Sequence, residues 1–348
     1  MAWQNAGPCR HSVIGTALFA QFVRYPLARV CTTIHSDNNP NRKECGVITE
    51  PTILLVEPTH YDVSYSINPW MDPLRWAADP QGMHRGALRA FAELRDALEA
   101  AGFAVEVAAG EPGLPDMVFP ANAAVVLDGR ALLARFRYPQ RQGEEAPFAR
   151  LFAGLRERGL LDEVATLADG CYQEGAGDCI WDAVRGHFWA GFGPRSARCA
   201  ADAVGAYFGR EVVALELATA QSYHLDVCFC PLAGGEILYY PPAFTEASLR
   251  ELHARLPASQ RIEASADDLR HFSVNAVNLH DRIVMARTTP RLRDALGKRG
   301  YRVQEVDLAP FMLSGGGAYC MTLRLDRSSG ARQGIEQASG GRASVAAA

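Results

Sequence analysis

The sequence has no apolar run long enough to cross a membrane as a helix, which takes about 20 mostly apolar residues. It also lacks an excess of positive charge, since 35 Lys and Arg stand against 39 Asp and Glu, a net charge of −4 at pH 7. Proteins that bind nucleic acid normally present a basic surface. The composition therefore favours neither a membrane protein nor a nucleic-acid-binding protein.

Closely spaced cysteines are also scarce. Of nine cysteines, only Cys228 and Cys230 are near neighbours, and they lie in an alternating apolar run that indicates strand packing rather than half of a zinc site. A chain of 348 residues can bury a core without disulfide bonds, so we expect reduced thiols and a cytoplasmic location. The cysteines assigned to packing are Cys171, Cys179, Cys199, Cys228 and Cys230.

The two ends differ in composition from the middle. Residues 1–36 contain no Asp or Glu but hold Arg10, Arg24 and Arg29 beside the short apolar stretch "VIGTALFAQFV". A targeting segment has this character, but no small-residue cleavage site is clear, so a nonessential, disordered extension is the favoured interpretation. The Gly-, Ser- and Ala-rich end is expected to be disordered. The expected organisation is an extension at 1–50, one catalytic domain at 51–326 and a disordered tail at 327–348.

A repeated unit occupies the middle of the chain. Four segments read as two apolar strands joined by a polar turn, with Asp128-Gly129 and Gly234-Gly235 as the clearest turns. Each of these hairpins is followed by a helical pattern and one further short strand. The hairpin segments begin at Ala123, Asp178, Leu225 and Val274.

The remaining elements predict that the repeat closes on itself. "TILLVEP" from Thr52 is followed by a helical pattern over 83–101 and by the strand "FAVEVA", while "CMTLRL" ends the core with no helix after it. If the first and last strands pair, they complete a fifth unit and hide both sheet edges. The predicted fold is therefore α/β, a closed ring of five hairpin-helix-strand units.

Polar residues recur at the start of the first strand of each unit. In a ring with pseudo-fivefold symmetry, equivalent strand ends converge on the axis, where a rigid scaffold presents them together. The residues expected to meet there are Asn122, Asp178, His224, Asp226, Asn275 and Cys320.

These residue types suit the chemistry of a guanidino group. Cys320 is the candidate nucleophile, and Asp178 with Asp226 would form a carboxylate clamp that matches the N–H donors of a guanidinium. His224 lies two residues before Asp226 on one strand, so both side chains would share a face, and His224 could exchange protons. The glycines at 315–317 would let the backbone approach the substrate.

Four motifs, "FPANAA", "EGAGD", "YHLD" and "GGGAYCMT", occur in that order and resemble those of the guanidine-modifying superfamily of the pentein fold. The superfamily includes arginine deiminases, dimethylarginine dimethylaminohydrolases and amidinotransferases, and the resemblance covers nearly the whole core. The forms "INPWM", "FPANAA", "RYPQRQGEE" and "GFGPRS" are most similar to the arginine dihydrolase type. The resemblance implies a five-bladed α/β propeller, no metal or other cofactor, and a covalent thiouronium intermediate on a cysteine.

The resemblance also implies roles for individual residues. It makes Cys320 the nucleophile and His224 the general acid and base. The amide of Asn122 replaces a side chain that is usually acidic in deiminases, which implies a second hydrolysis of the ureido product. The other implied site residues are Asp178 and Asp226 as guanidinium ligands, Glu174 as the first residue of E-G-x-G-D, Arg141 and Arg195 at the substrate carboxylate, and Asn68 on the substrate side.

The expected reaction is hydrolysis of L-arginine to ornithine, ammonia and carbon dioxide. Three alternatives stay open: hydrolysis of dimethylarginine to citrulline and dimethylamine, transfer of the amidino group to an amine, and a silent module that only binds arginine-like ligands. The expected partner is thus a small guanidino compound, and a homo-oligomer is left open.

Structural uses of the same residues also stay open. Asp178 could cap a turn, His224 and Asp226 could be a structural pair at a strand end, and Cys320 could be a small buried residue. Arg141 lies in a charged segment and could be solvated surface.

Overall fold

The computed structural model describes residues 50–330, which fold into five three-stranded sheets. In every sheet the middle strand pairs antiparallel with the first strand and parallel with the third. The predicted α/β ring of five repeated units is confirmed. The strands are β1 (Thr52–Val56), β2 (Ala104–Ala108), β3 (Ala124–Leu127), β4 (Arg130–Leu133), β5 (Glu163–Thr166), β6 (Cys179–Asp182), β7 (His187–Phe192), β8 (Val212–Glu216), β9 (Phe229–Pro231), β10 (Ile237–Tyr239), β11 (Arg261–Glu263), β12 (Val277–Leu279), β13 (Arg282–Met285), β14 (Arg302–Glu305) and β15 (Leu323–Arg324).

The last strand closes the ring on the first. β15 pairs antiparallel with β1, with Ile53 opposite Arg324 and Leu54 opposite Leu323. The predicted pairing of the terminal strands is thus present, although β15 spans only two residues. The closing strand begins three residues after Cys320, so the closure also fixes the position of the thiol.

A helix connects the middle and third strands of each sheet, because parallel neighbours need a crossover connection. These helices are α1 (Pro80–Ala101), α2 (Glu145–Glu157), α3 (Cys199–Phe208), α4 (Glu246–Arg255) and α5 (Pro290–Gly297). Short helices of four to six residues span Pro73–Ala78, Pro139–Gln142, Gly175–Asp178, Leu225–Cys228, Ala266–Arg270 and Ala309–Met312. Single turns of 3₁₀ helix span Pro58–His60, Pro115–Val118, Pro120–Asn122, Ala220–Ser222, Pro241–Ala243 and Ala258–Gln260.

Local signals set the helix ends. The hydroxyl of Thr289 accepts a hydrogen bond from the Leu292 N–H at 3.2 Å, and Pro290 occupies the first turn, as predicted. α1 starts three residues before its predicted beginning because the Asp79 carboxylate caps it by accepting from the Gly82 N–H.

The extension predicted at 1–50 and most of the predicted tail lie outside the described residues. The first residues after 326 contact the β3–β4 turn. Ser329 Oγ donates to Asp128 Oδ2 at 2.6 Å, and the Asp128 N–H donates to the carbonyl of Arg327.

The assignment of five cysteines to packing is wrong for two of them. Cys171 and Cys199 form a disulfide bond across 28 residues, whereas Cys179, Cys228 and Cys230 are buried free thiols. Sequence spacing gave no sign of this pair, because its members lie in segments that meet only in the folded chain.

Within the described residues, none of the helices combines the length and the apolar character needed to cross a membrane. The same part of the chain contains no group of three His, Cys, Asp or Glu side chains arranged to hold a metal ion.

Ring closure predicts a large cost for shortening Leu54. This side chain is 0% exposed and pairs with Leu323, so Leu54→Ala should lower the free energy of unfolding by about 2–5 kcal/mol. Leu74 is 85% exposed, and Leu74→Ala should change the same quantity by no more than about 0.5 kcal/mol. Urea denaturation of both variants measures the difference, and equal effects would contradict this view of the closing strand.

Candidate active site

The Cys320 thiol lies at the axis of the ring and is held by two neighbouring blades. Its Sγ is 3.0 Å from Asp226 Oδ2 and accepts a hydrogen bond from Asn275 Nδ2 at 3.1 Å. The side-chain oxygen of Asn275 in turn accepts from the Cys320 N–H at 3.1 Å. Asn275 therefore fixes both the backbone and the sulfur of the candidate nucleophile, a role that its position at a strand end did not reveal.

The glycines before Cys320 make room for neighbouring protein side chains. A Cβ atom at Gly317 would stand 2.8 Å from Asn275 Oδ1, and one at Gly316 would stand 2.2 Å from the Phe119 ring. Both distances are shorter than van der Waals contact, so only glycine allows this loop to pack.

Asp226 is the one acid in contact with the thiol. Burial raises its pKa to about 7. Oδ2 contacts the thiol, whereas Oδ1 is buried and has no hydrogen-bond partner among the described residues. Burial and the adjacent Asp226 carboxylate both raise the pKa of Cys320 well above its usual range. The protein alone therefore keeps the nucleophile protonated.

The prediction that His224 and Asp226 lie on one strand is wrong. His224 precedes the helical turn Leu225–Cys228, and Asp226 lies within that turn. His224 Nε2 is 2.7 Å from Glu174 Oε2, so the imidazole is oriented by a carboxylate.

Glu174 joins the imidazole to a second cation. Its Oε2 also accepts from Arg195 Nη1 at 2.9 Å, and both residues are buried. Burial alone would raise the pKa of Glu174, but Arg195 and the hydrogen bond with His224 outweigh it and hold the pKa well below its usual value. Glu174 is therefore a permanent anion behind the imidazole. The guanidinium of Arg195 also lies over the rings of Tyr138 and Tyr223, at 4.7 and 4.9 Å from their centroids.

Arg141 is buried, so the solvated-surface alternative is wrong. Its guanidinium forms two hydrogen bonds with Glu144 and donates to the carbonyl of Asp116. A further N–H donates to Asn122 Oδ1 at 2.7 Å. These contacts with the protein differ from the predicted contact with a substrate carboxylate.

The bond from Arg141 fixes the orientation of the Asn122 amide. A guanidinium only donates hydrogen bonds, so the amide oxygen must face Arg141. The NH₂ group consequently faces His224, with Nδ2 at 3.5 Å from Nδ1. Gly177 allows this approach, since a Cβ there would stand 2.2 Å from Asn122 Nδ2.

Both carboxylate oxygens of Asp178 accept hydrogen bonds from the protein. The predicted role was to bind a guanidinium together with Asp226. Asp178 Oδ2 accepts from the Ser196 hydroxyl at 2.6 Å, and Asp178 Oδ1 accepts from the Leu225 N–H at 3.0 Å. The carboxylate ties the Ser196 segment to the turn that carries Asp226. Sequence reasoning missed Ser196, because no motif marks a serine that pairs with an acid 18 residues earlier.

Asn68 reaches the loop before Cys320. Its Nδ2 donates to the carbonyl of Ser314 at 3.0 Å, and its Oδ1 accepts from the Trp70 N–H at 2.9 Å. The structure thus links Asn122, Glu174 and His224 to one another and places Asp226 against Cys320. Asp226 follows His224 by two residues in the chain, and Asn68 borders the loop of the thiol.

Comparison with known proteins identifies the family. Residues 67–327 match the family model described as N,N dimethylarginine dimethylhydrolase, eukaryotic. The chain belongs to this family. This match confirms the resemblance to guanidine-modifying proteins.

Two curated relatives carry different activities in their names. The bifunctional arginine dihydrolase/ornithine cyclodeaminase ArgZ of Synechocystis sp. is 38% identical over 273 residues, which are 78% of this chain and 37% of that protein. The chain therefore spans just over a third of the length of that relative. The N(G),N(G)-dimethylarginine dimethylaminohydrolase of Mycobacterium tuberculosis is 31% identical over 271 residues, 78% of this chain and 84% of that protein.

Solved structures agree with the fold. The N-terminal domain of cyanobacterial ArgZ, in a mutant form bound to substrate, is 37% identical with a TM-score of 0.74, over 80% of this chain and 100% of that one. A dimethylarginine dimethylaminohydrolase adduct with S-methyl-L-thiocitrulline is 20% identical with a TM-score of 0.63, over 79% of this chain and 99% of that one, and shares the fold.

The contact between Asp226 and Cys320 predicts an effect on thiol reactivity. Asp226→Asn removes the negative charge that raises the pKa of Cys320, so alkylation of Cys320 by neutral iodoacetamide should be faster at pH 7 than in the unchanged protein. The rate is followed by mass spectrometry of the peptide that contains Cys320, which separates it from the other buried thiols. A slower or unchanged rate would show that the carboxylate does not control this thiol.

Proposed function

We propose that this chain hydrolyses the guanidino group of L-arginine through a covalent intermediate on Cys320, giving ornithine, carbon dioxide and two molecules of ammonia. The observation that carries the proposal is Asp226 Oδ1, a buried acceptor without a hydrogen-bond partner among the described residues, beside the thiol. A buried acceptor of this kind is costly unless a donor meets it. The N–H of a bound guanidinium is such a donor, and it would bring the reactive carbon to the sulfur.

Substrate binding would also activate the nucleophile. Burial and Asp226 together raise the pKa of the Cys320 thiol, and a cation beside both groups acts in the opposite direction. The thiol would therefore ionise only when the guanidinium is bound. Its proton passes to His224, and the sulfur attacks the guanidinium carbon to form the C–S bond.

His224 would then serve both halves of the reaction. It delivers the proton to the leaving nitrogen of the tetrahedral adduct, so that the C–N bond breaks, ammonia departs and a thiouronium remains on Cys320. It next takes a proton from water, which attacks the same carbon and releases the thiolate. Glu174, held ionised by Arg195, stabilises the imidazolium in both steps.

The oriented amide of Asn122 supports a second hydrolysis. Its NH₂ group faces the site because Arg141 holds the oxygen. A neutral donor at this position can bind the uncharged ureido group, where a carboxylate would favour the cation instead. A second addition of water at the ureido carbon releases ornithine, carbon dioxide and the second ammonia. The name of ArgZ, an arginine dihydrolase, supports this assignment.

We infer one further role in substrate binding and one in positioning. Arg195 lies between two aromatic rings, with one side of its guanidinium paired to Glu174, and it is the candidate ligand of the substrate carboxylate. Asp178 takes a positioning role, because its carboxylate joins Ser196 to the turn of Asp226.

Hydrolysis of dimethylarginine to citrulline and dimethylamine is the second candidate. The description of the matching family and the name of the mycobacterial relative favour it. The same thiol, imidazole and carboxylate would perform that reaction, and only the fate of the product and the substituents on the guanidine differ. A silent binding module is disfavoured, since a module that only binds has no use for an oriented thiol, imidazole and carboxylate.

Product analysis separates these functions. The purified chain is incubated with L-arginine or with asymmetric dimethylarginine, and products are identified by mass spectrometry with Cys320→Ser as the blank. We expect ornithine and ammonia from arginine and no turnover by the blank. Turnover of the methylated substrate alone would assign the second function, and turnover by Cys320→Ser would contradict covalent catalysis.

The isosteric variant Asn122→Asp gives the matched comparison for the second hydrolysis. It keeps the size of the side chain and an acceptor for Arg141 but replaces the donor that faces His224. Citrulline should accumulate in place of ornithine. An unchanged yield of ornithine would remove Asn122 from the second step.

A further inference from the structure

The segments that carry Glu174 and Arg195 are joined by a covalent bond outside the site. Cys171 lies three residues before Glu174, and Cys199 lies four residues after Arg195 at the start of α3. The disulfide between these cysteines spans 28 residues of chain. It is therefore placed to control how the two segments meet.

Hydrogen bonds between the two joined segments connect the region of the disulfide to the imidazole of His224. The Ala197 N–H donates to the carbonyl of Tyr172 at 2.9 Å, and the Glu174 N–H donates to Ser196 Oγ at 3.0 Å. The ion pair of Arg195 with Glu174 follows, and Glu174 holds His224. The first three of these interactions cross between the two segments that the disulfide joins, and the fourth connects Glu174 to His224.

The disulfide is also within reach of a reductant. Cys199 is exposed and Cys171 is half-buried, whereas the groups that they flank are buried. Cys320 and the other free thiols of the described residues are buried as well. This disulfide is therefore more accessible to a reagent in solution than any of the free thiols among the described residues.

We propose that the Cys171–Cys199 disulfide is a positioning element of the site, which holds the Arg195 segment against Glu174, and that its reduction by a dithiol lowers turnover. The proposal rests on the function proposed above. The dithiol attacks one sulfur, forms a mixed disulfide and then closes into a cyclic disulfide. Its two electrons and two protons convert Cys171 and Cys199 into separate thiols.

Without the covalent link, only non-covalent contacts hold Arg195 and Ser196 in place. A shift of Arg195 weakens binding of the substrate carboxylate and raises KM. A shift of Glu174 disturbs the orientation of His224 and lowers kcat. We expect kcat/KM to fall about tenfold, less than the ~100-fold loss that a displacement of one ångström can cause.

The test compares the oxidised protein, the protein treated with a dithiol and the double variant Cys171→Ser, Cys199→Ser. Blocking free thiols with iodoacetamide before digestion shows whether the two cysteines are linked. Reduced protein and double variant should share the lower kcat/KM, and the variant should not respond to the dithiol. A dithiol could also act by keeping Cys320 reduced. That effect would raise kcat/KM, so it is distinguished from the predicted fall. Kinetics are measured well below the unfolding transition of each form, so a loss of stability alone leaves KM unchanged.

Hydrogen exchange provides a readout that does not need activity. The amides of Glu174 and Ala197 should exchange faster in the reduced protein, because both donate across the joined segments. The proposal would be overturned if Cys171 and Cys199 were free thiols in the untreated protein. Equal exchange and equal kinetics in the oxidised and reduced protein would also overturn it. Absence of arginine turnover in both forms combined with faster exchange would instead overturn the proposed function and retain the disulfide as a positioning element.

Discussion

The pairing of β1 with β15 is the constraint on which the site depends. Two residue pairs, Ile53 with Arg324 and Leu54 with Leu323, join the last strand of the ring to the first. Closure places Cys320, near the end of the described chain, against residues from the other blades. The Ala121 N–H donates to the carbonyl of Cys320 at 3.3 Å. Asn275, which belongs to a different blade, donates to the thiol. A nucleophile defined by contacts from several blades requires that the ring be complete.

Charge burial at the axis is organised so that one acid stays incompletely satisfied. Glu174 accepts hydrogen bonds from Arg195 and from the Arg137 N–H and also contacts His224, so its charge is compensated. Asp226 contacts the thiol through Oδ2, its Oδ1 has no hydrogen-bond partner among the described residues, and burial raises its pKa to about 7. Desolvating an acid in this way costs stability in the free protein. Binding of a cation would recover this cost, which is why the proposed function assigns the guanidinium to Asp226.

The sequence predicted the repeat because its signals are local. Turn residues such as Asp128-Gly129 and caps such as Thr289 act within a few residues, and the hairpin, helix and strand of each unit followed from them. The axial position of Cys320 followed from the symmetry of the ring. The Cys171–Cys199 disulfide and the burial of Arg141 did not follow, because each depends on which distant segments meet. The helical turns that carry the acids were also missed, since four residues are too few for a periodic pattern.

The most direct test of covalent catalysis at this axis is the mass of the protein during turnover. The chain is mixed with L-arginine, quenched in acid within the first turnovers and digested for mass spectrometry. The account predicts an adduct on the Cys320 peptide with the mass of arginine less ammonia, which disappears as substrate is exhausted. Sustained turnover with an unmodified Cys320 throughout, or an adduct on any other residue, would contradict it.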